Sequence, residues 1–406
     1  MPSSHRPSAA CARPLAALAF RARPLAALAT LLAAPGVAAA EDESPPLSIY
    51  GFARLDVLAN DSRMSSLEDP AYVMREPAGG QLESGLTMTP RLSRVGLSID
   101  RWDIKDDRVF GEGKVEIDFA GGGGANAIRL RHAYASIARA WDDETSVELL
   151  AGQTWDLAAP LFPSAQNDSQ LRYAGNLGDR HPQLRLSASG SMVRVAVAAA
   201  APAVLADDEL PGGGDGDGGG GGDGDMMSTT RPMVQWLLEF KGRIVRRADP
   251  ARVGLSGHAG RAGAADGTTR SSASIAAHLY LPLGRRAVVL GEGYLGRNLA
   301  ELGGGIGHDA TAMAADGVHA LGGWVELALL PTERHMLSVG TSIDVARAED
   351  LERGDRERNG TIYSVLRYRP RPALQLGLEH LYWKTAYKDM PSGVANRVDA
   401  HLSVFF

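Results

Sequence analysis

The sequence predicts an all-β fold, a transmembrane antiparallel β-barrel of 16 strands with short periplasmic turns and long extracellular loops. Three observations predict this fold. Residues 1–40 have the pattern of a secretion signal, apolar and polar residues alternate in many short segments, and long and short connections alternate along the chain. Transmembrane barrels have an even number of strands, with their longer loops on one rim. A secreted all-β protein is the alternative fold.

The first 40 residues have the composition of a cleaved signal peptide. They contain four of the 42 basic residues, none of the 48 acidic residues, an apolar run over 24–34 and a terminal Ala38-Ala39-Ala40. The run is shorter than the roughly 20 residues that a transmembrane helix needs. We therefore expect a signal peptide over 1–40 and a barrel domain over 41–406. Removing four cations changes the formal charge from −6 to −10, and removing Cys11, the only cysteine, excludes disulfides and Cys-based metal sites.

The strand at the C-terminus shows the alternation most clearly. Val398, Leu402 and Phe406 share one face with Ala400 and Val404, while Arg397, Asp399, His401 and Ser403 occupy the other. Fifteen further segments have comparable lengths, close to the 9–11 residues of a tilted membrane-spanning strand. The sixteen predicted strands are 47–57, 91–102, 108–119, 128–139, 143–154, 182–189, 191–200, 232–241, 251–260, 271–282, 285–295, 317–330, 333–345, 359–369, 372–383 and 395–406.

The connections between these segments alternate between short and long. Short turns such as Leu283-Gly284 would lie on one rim, and the long segments would lie on the other. The long segments are Leu58–Pro90, Trp155–His181, Ala201–Arg231, Gly296–Asp316 and Ala346–Arg358. Six aromatic residues fall near predicted strand ends, where they could form interfacial girdles or serve as ordinary core residues. They are Trp102, Phe119, Trp141, Trp155, Trp383 and Phe406.

Five segments resemble the N-terminal third of the DcaP-like trimeric porins of Gram-negative bacteria. They are Tyr50–Asp56, Arg91–Gly96, Glu112–Phe119, Arg129–Tyr134 and Leu150–Trp155. The terminal Phe406 is similar to the assembly signal that the barrel-assembly machinery reads in this class. The resemblance covers roughly residues 48–190 and implies a homotrimer in the cell outer membrane that conducts small anionic solutes, dicarboxylates among them. Some relatives carry a coiled coil before the barrel, whereas only Glu41–Pro46 precede the first strand here.

Charged residues on the predicted inward faces are the candidates for selectivity. Two interpretations are open: these charges pair along the wall, or a basic arc favours carboxylates, which guanidinium groups bind bidentately. The candidate pore-lining residues are Arg94, Glu112, Glu116, Asp118, Arg129, Arg131, Arg185 and Arg194, with Glu148 and Arg252 beside them.

Two long segments have distinctive compositions. The resemblance implies that Trp155–His181 folds into the barrel as a constriction loop, with Asp156, Asp168, Arg172 and Arg180 as its candidate residues; a loop outside the barrel is the alternative. Pro211–Asp225 consists almost entirely of Gly and Asp. It could bind Ca²⁺ through carboxylates, but its composition is also that of a low-complexity segment.

These features predict a diffusion channel for small hydrophilic solutes, with a preference for anions. No H-E-x-x-H, G-x-S-x-G or Walker pattern occurs, and we expect no catalytic residue, metal or cofactor. A non-conducting barrel acting as adhesin or structural protein is the first alternative. A barrel lipase using His401 and Ser403 is the second, although their parity turns both toward the lumen. The expected partners are further copies of the chain, outer-membrane lipid and lipopolysaccharide, the barrel-assembly machinery and small anionic solutes, but no nucleic acid.

Overall fold

The computed structural model describes residues 46–75, 83–106, 108–121, 126–167, 169–201, 231–245, 248–263, 269–308, 314 and 317–406. The predicted signal peptide, the Gly-Asp segment 211–225 and Asp168 lie outside the described residues. Within these ranges, no helix has the length and apolar character needed to cross a membrane.

Over the described ranges, the chain forms seventeen β-strands in one sheet. Their bounds are β1 Leu47–Asn60, β2 Gly85–Thr89, β3 Arg94–Asp106, β4 Val109–Gly121, β5 Ala127–Asp142, β6 Thr145–Trp155, β7 Arg180–Ser189, β8 Val193–Ala200, β9 Met233–Gly242, β10 Ala251–Gly263, β11 Thr269–Pro282, β12 Ala287–Arg297, β13 His319–Thr332, β14 His335–Ala346, β15 Arg356–Arg371, β16 Leu374–Tyr387 and β17 Met390–Phe405. The described parts of the connections contain three 3₁₀ turns, Ala300–Leu302, Gly305–Gly307 and Ala348–Asp350.

The wall of the barrel is sixteen strands wide, because β2 and β3 are two halves of one strand. β2 pairs with the second half of β1 and β3 with the first half. Pro90 lies at the interruption, where a residue without a backbone N–H weakens the ladder. The segment Leu58–Pro90 was predicted to be wholly a loop, so β2 corrects that prediction.

The sheet closes on itself between β17 and β1, its last and first strands. β17 pairs antiparallel with β1, from Phe405 opposite Phe52 to Arg397 opposite Asn60. Gly51 and Phe406 then exchange two backbone hydrogen bonds of 3.1 Å each. A closed sheet satisfies every backbone group within the wall, which a bilayer requires. The predicted transmembrane barrel is confirmed, and the secreted all-β alternative is wrong.

The outer face is apolar and the inner face is polar, the reverse of a soluble barrel. On β17 Val398, Leu402 and Val404 are 41%, 43% and 48% exposed, whereas Asp399 and Ser403 are buried inside. On β14 Leu337, Val339 and Ile343 also point outward. This alternation agrees with the predicted faces of both strands, and it produces the lipid-facing band of a transmembrane barrel.

For two of the six aromatic residues the structure favours the core alternative, and it corrects one predicted connection. Trp383 is fully buried, and its Nε1 donates to Asn359 Oδ1 at 2.7 Å, so it is an interior residue and not part of a girdle. Trp155 also points inward, with its ring centroid 4.4 Å from that of Phe162. Finally, β16 and β17 are joined by two residues at 388–389, although the sequence predicted a longer connection there.

Described segments of three long-rim connections pack inside the barrel; we call them L1 (residues 61–75), L3 (156–167 and 169–179) and L6 (298–308). L1 donates from Val73 N to Thr385 Oγ1, and L6 donates from Ile306 N to Asp344 Oδ2. One apolar cluster joins L1 and L3 to the wall around Trp383, and a second joins L3 and L6 around Tyr294. Much of the interior beside β9–β17 is therefore packed protein.

Candidate functional site

L3 runs along the inner wall of the barrel and is held there by its own backbone N–H groups. Each donor bonds an inward side chain on a different strand, in chain order. The five bonds are Leu157 N to Gln235 Oε1 (2.7 Å), Ala159 N to Ser256 Oγ (3.1 Å), Leu161 N to Glu292 Oε1 (2.6 Å), Ser164 N to Glu326 Oε2 (2.7 Å) and Gln166 N to Glu379 Oε2 (2.7 Å). Three of the acceptors are carboxylates, which form the stronger class of hydrogen bond.

Because L3 follows the wall in this way, it covers one side of the barrel interior and leaves the other side open. The acceptors lie on β9, β10, β12, β13 and β16, and Arg54 Nη2 of β1 donates to Gln166 O at 3.0 Å. Gln235 and Glu379 under L3 are 0% exposed, whereas the side chains of Arg94 and Arg129 on β3 and β5 keep 27% and 22% exposure. The remaining lumen therefore faces β3–β8, the strands that carry most of the candidate pore-lining residues.

The open side holds a charged network at Glu116 and Asp118 of β4. Asp118 accepts from Arg129 at 2.9 and 2.7 Å and from Arg131 at 2.8 Å. Glu116 accepts from Arg131 Nε at 2.9 Å and lies 3.4 Å from Arg94 and 3.2 Å from Lys114. These charges therefore pair along the wall, which is the first of the two alternatives that the sequence left open.

The C-terminal end of L3 adds cations to this network. Arg172 and Arg180 both form salt bridges with Asp179, and the Arg180 guanidinium lies 4.6 Å from the Trp155 ring centroid. Burial raises the pKa of the Asp179 carboxyl, but Arg172 and Arg180 outweigh it and hold that pKa below its ordinary value. Arg180 also interacts electrostatically with Arg129 and Arg131.

We call this combined set the basic cluster. It comprises Arg94, Lys114, Arg129, Arg131, Arg172 and Arg180, paired with Glu116, Asp118 and Asp179. The cations outnumber the carboxylates by two to one. Pairing and an excess of positive charge therefore coexist on the open side of the lumen.

Asp156 has a structural role at the base of L3. It accepts from His181 Nδ1 at 2.9 Å, from Gln235 Nε2 at 2.7 Å and from Asp179 N at 2.9 Å. These bonds hold the two ends of L3 together beside β9. Asp156 belongs to the anchoring of the loop, whereas Arg172 and Arg180 belong to the basic cluster.

The remaining candidates lie closer to the short-turn rim, where both signs of charge mix. Arg185 donates to Gln183 Oε1 at 2.7 Å and to the Trp155 carbonyl. Arg194 lies opposite Glu239 in the sheet register, and Arg252 is 3.9 Å from the same carboxylate. Glu112 and Glu148 are close enough to repel each other. The structure does not gather these residues into one arginine arc with Arg129 and Arg131.

A β-bulge in β5 turns His132 toward the lumen, whereas strand parity alone would place it on the lipid side. Glu116 pairs with His132 and the next residue, Ile117, pairs with Leu130, so Arg131 is the extra residue. Arg131 and His132 are consequently both buried on the inner side, and His132 Nδ1 lies 3.1 Å from Thr154 Oγ1. Strict alternation turns His132 toward lipid and has no means of locating the bulge. Lys114, in contrast, shares the parity of Glu116 and could have been named from the sequence.

The residues of the alternative functions also have defined places. His401 and Ser403 are buried on the inner face, and His401 Nε2 lies 3.0 Å from Gln375 Nε2, away from lipid. Within the described ranges, no group of three or more His, Cys, Asp or Glu residues is arranged to hold a metal ion.

Comparisons with known proteins agree with this architecture. No protein-family model and no curated protein sequence matches the chain. Among solved structures, the outer membrane channel DcaP of Acinetobacter baumannii superimposes with a TM-score of 0.68 at 16% identity, covering 89% of this chain and 97% of that one. The chain has the porin fold. With its apolar outer face, this fold makes it an integral outer-membrane β-barrel.

Two other solved structures share the porin fold at lower similarity. An anion-selective porin from Comamonas acidovorans has a TM-score of 0.57 at 11% identity, covering 89% of this chain and 99% of its own. The trimer form of OmpT from Vibrio cholerae has a TM-score of 0.50 at 10% identity, with the same two coverages. Both likenesses concern the fold alone.

Proposed function

We propose that the chain is a member of the DcaP-like porins, a diffusion channel for small hydrophilic solutes with a preference for anions. The observation that carries the proposal is the asymmetry of the lumen: L3 covers β9–β16, and the open side presents the basic cluster. In a water-filled barrel the lining charges determine which ions enter. Arg94, Lys114 and Arg129 of the cluster keep 27%, 29% and 22% exposure toward the pathway, while charges beyond about 8 Å are screened at physiological salt.

Small dicarboxylates are the proposed solutes. The resemblance to DcaP-like porins implies this class, and guanidinium groups suit carboxylates because they bind them through two parallel hydrogen bonds. Each guanidinium carries five N–H donors, and the Arg129 side chain keeps 22% exposure toward the lumen. A carboxylate that passes through the lumen can therefore approach this group.

The proposed assembly is a homotrimer exported by a cleaved signal peptide into the outer membrane of a Gram-negative bacterium. Cyclic symmetry is the usual arrangement of such homo-oligomers, and a trimer form exists for one structural neighbour. Mass measurement in mild detergent tests this part separately. A monomer there would remove the trimer without affecting the proposed channel.

The decisive experiment measures ion selectivity in planar bilayers. We expect the double variant R129A/R131A to shift the reversal potential in a salt gradient toward cations, because Glu116 and Asp118 remain with fewer partners. Uptake of succinate into liposomes should slow, while uptake of a neutral sugar should not. An unchanged reversal potential would contradict the anion preference and leave a general porin, and absence of conductance in the wild type would favour the adhesin or structural barrel.

A further inference from the structure

An outward-facing groove of about 660 Å³ crosses β11–β14 near the long-loop rim. That volume is within the range of a ligand site, about 300–1,000 Å³. Its apolar lining is one row of side chains in direct register across the four strands. The row consists of Ile275, Leu295, Leu321 and Val345.

A second row with basic side chains lies one step nearer the long-loop rim. Arg297 of β12 pairs with His319 of β13, and Arg347 N donates to His319 O at 2.8 Å. Each is two residues from its apolar neighbour, so the rows are about 7 Å apart. Three adjacent strands thus place a basic band directly above the apolar row.

On the other side of the apolar row, beyond the lining of the groove, two glycines face each other across β12 and β13. Gly293 pairs with Gly323, so the wall has no side chains there. A Cβ added at Gly293 would meet only the Gly322 carbonyl oxygen, at 3.8 Å. We call this gap between side chains at Gly293 and Gly323 the cleft.

Two carboxylates contact the basic row, one at His319 and one at Arg347. Asp350 lies 2.8 Å from His319 Nδ1, and Glu349 lies 3.1 Å from Arg347 Nε. The Arg347 and Glu349 side chains are 57% and 73% exposed. The Arg347–Glu349 pair is therefore an exposed ion pair, a kind that contributes little to stability.

We propose that this groove binds lipopolysaccharide, the phosphorylated and multiply acylated glycolipid of the extracellular leaflet. Its phosphates contact Arg297 and Arg347, and an acyl chain covers Leu295 and Leu321 and enters the cleft at Gly293. Long loops mark the extracellular rim, so the basic row lies at the headgroup level of that leaflet. A second copy of this chain would have to bury the same cations in a protein interface, at a large desolvation cost.

The test is native mass spectrometry of the full protein in detergent with defined lipids. The wild type should retain bisphosphorylated lipid A in preference to phosphatidylglycerol and phosphatidylethanolamine. The variant R297A/R347A should lose at least about tenfold in affinity, since each charged hydrogen bond contributes a factor of that order. The matched control is R285A/R286A, which removes two exposed arginines from the short-turn rim of β11 and β12 and should bind normally.

A second variant tests the acyl chain without changing any charge. Gly293→Leu fills the cleft and should weaken lipid A binding, while heat-modifiable mobility and conductance stay as in the wild type. Equal lipid A binding by R297A/R347A and R285A/R286A would overturn the proposal, as would equal binding of the three lipids. Efficient cross-linking between protomers through Leu295→Cys would also overturn it, because the groove would then be an interface between copies.

Discussion

At the scale of single residues, His308 links the docking of L6 to pH. Burial and the nearby Arg356 charge lower the pKa of His308 to about 4, although its Nε2–H donates to Arg356 O at 2.7 Å and Asp355 acts in the opposite direction. The neutral imidazole is therefore the form that packs in the folded loop. Because the folded pKa lies below the ordinary 6.5, this stabilisation is complete above pH 6.5 and is lost as pH falls toward 4.

We expect hydrogen exchange in residues 299–308 to accelerate between pH 6.5 and 4, after correction for intrinsic exchange rates. The control is His308→Gln, whose side-chain amide can donate to Arg356 O but does not titrate. The same pH dependence in His308→Gln would assign the effect to another group.

Also at this scale, Asp118 distinguishes the structural and selective roles of the wall pairs. Asp118 is fully buried between Arg129 and Arg131. The variant D118N/R129Q removes the ion pairs of Asp118 with Arg129 and with Arg131 without changing the net charge of the lumen. We expect an unfolding transition at lower temperature, corresponding to about 1–3 kcal/mol, and an unchanged reversal potential. A clear shift in reversal potential would show that the individual pairs, and not the net charge, determine selectivity.

At the scale of elements, L3 depends on the carboxylates beneath it. Glu326 is the strongest anchor, because it accepts from Ser164 N at 2.7 Å, from Ser164 Oγ at 2.6 Å and from Tyr363 OH at 3.0 Å. We expect Glu326→Ala to release the middle of the loop, since each buried donor left without an acceptor costs about 1–3 kcal/mol. Single-channel recordings should show larger and noisier current steps.

Two variants make this result specific to the anchor. Glu326→Gln keeps an acceptor oxygen and should show a smaller change in current noise. Glu333→Ala removes an exposed carboxylate from the adjacent turn and should leave the current as in the wild type. Equal noise in Glu326→Ala and the wild type would mean that the other four backbone anchors are sufficient.

The sequence predicts the strands of the barrel but not the bulge in β5 or the path of L3. Alternation located the barrel strands, because a one-residue shift would turn every charged residue toward lipid. It also placed Arg94 and Arg129 on the inner face. It could not locate the bulge at Arg131, which breaks the alternation without a distinctive residue. Nor could it trace L3, because Glu326 resembles any other lumen carboxylate until a loop 162 residues away packs on it.

At the scale of the whole molecule, Phe406 closes the barrel. Its backbone exchanges two hydrogen bonds with Gly51, and its ring lies so close to that residue that an added Cβ would be 2.7 Å away. The Phe406 side chain is 64% exposed on the lipid side, whereas Phe405 points inward, with its ring centroid 5.3 Å from that of Phe52. The last two aromatic residues therefore have different surroundings despite their identical chemistry.

We expect deletion of Phe406 to prevent membrane insertion, because it removes both the terminal ladder bonds and the outward aromatic group, and the chain should then be degraded before assembly. Phe405→Ala is the matched control: it keeps the terminal Phe406 and both bonds to Gly51, so it should insert in normal amounts with a lower unfolding temperature. The measurement is the amount of heat-modifiable protein in isolated outer membranes. If both variants insert equally, closure of the barrel depends on the remaining β1–β17 ladder, and Phe406 carries no assembly signal.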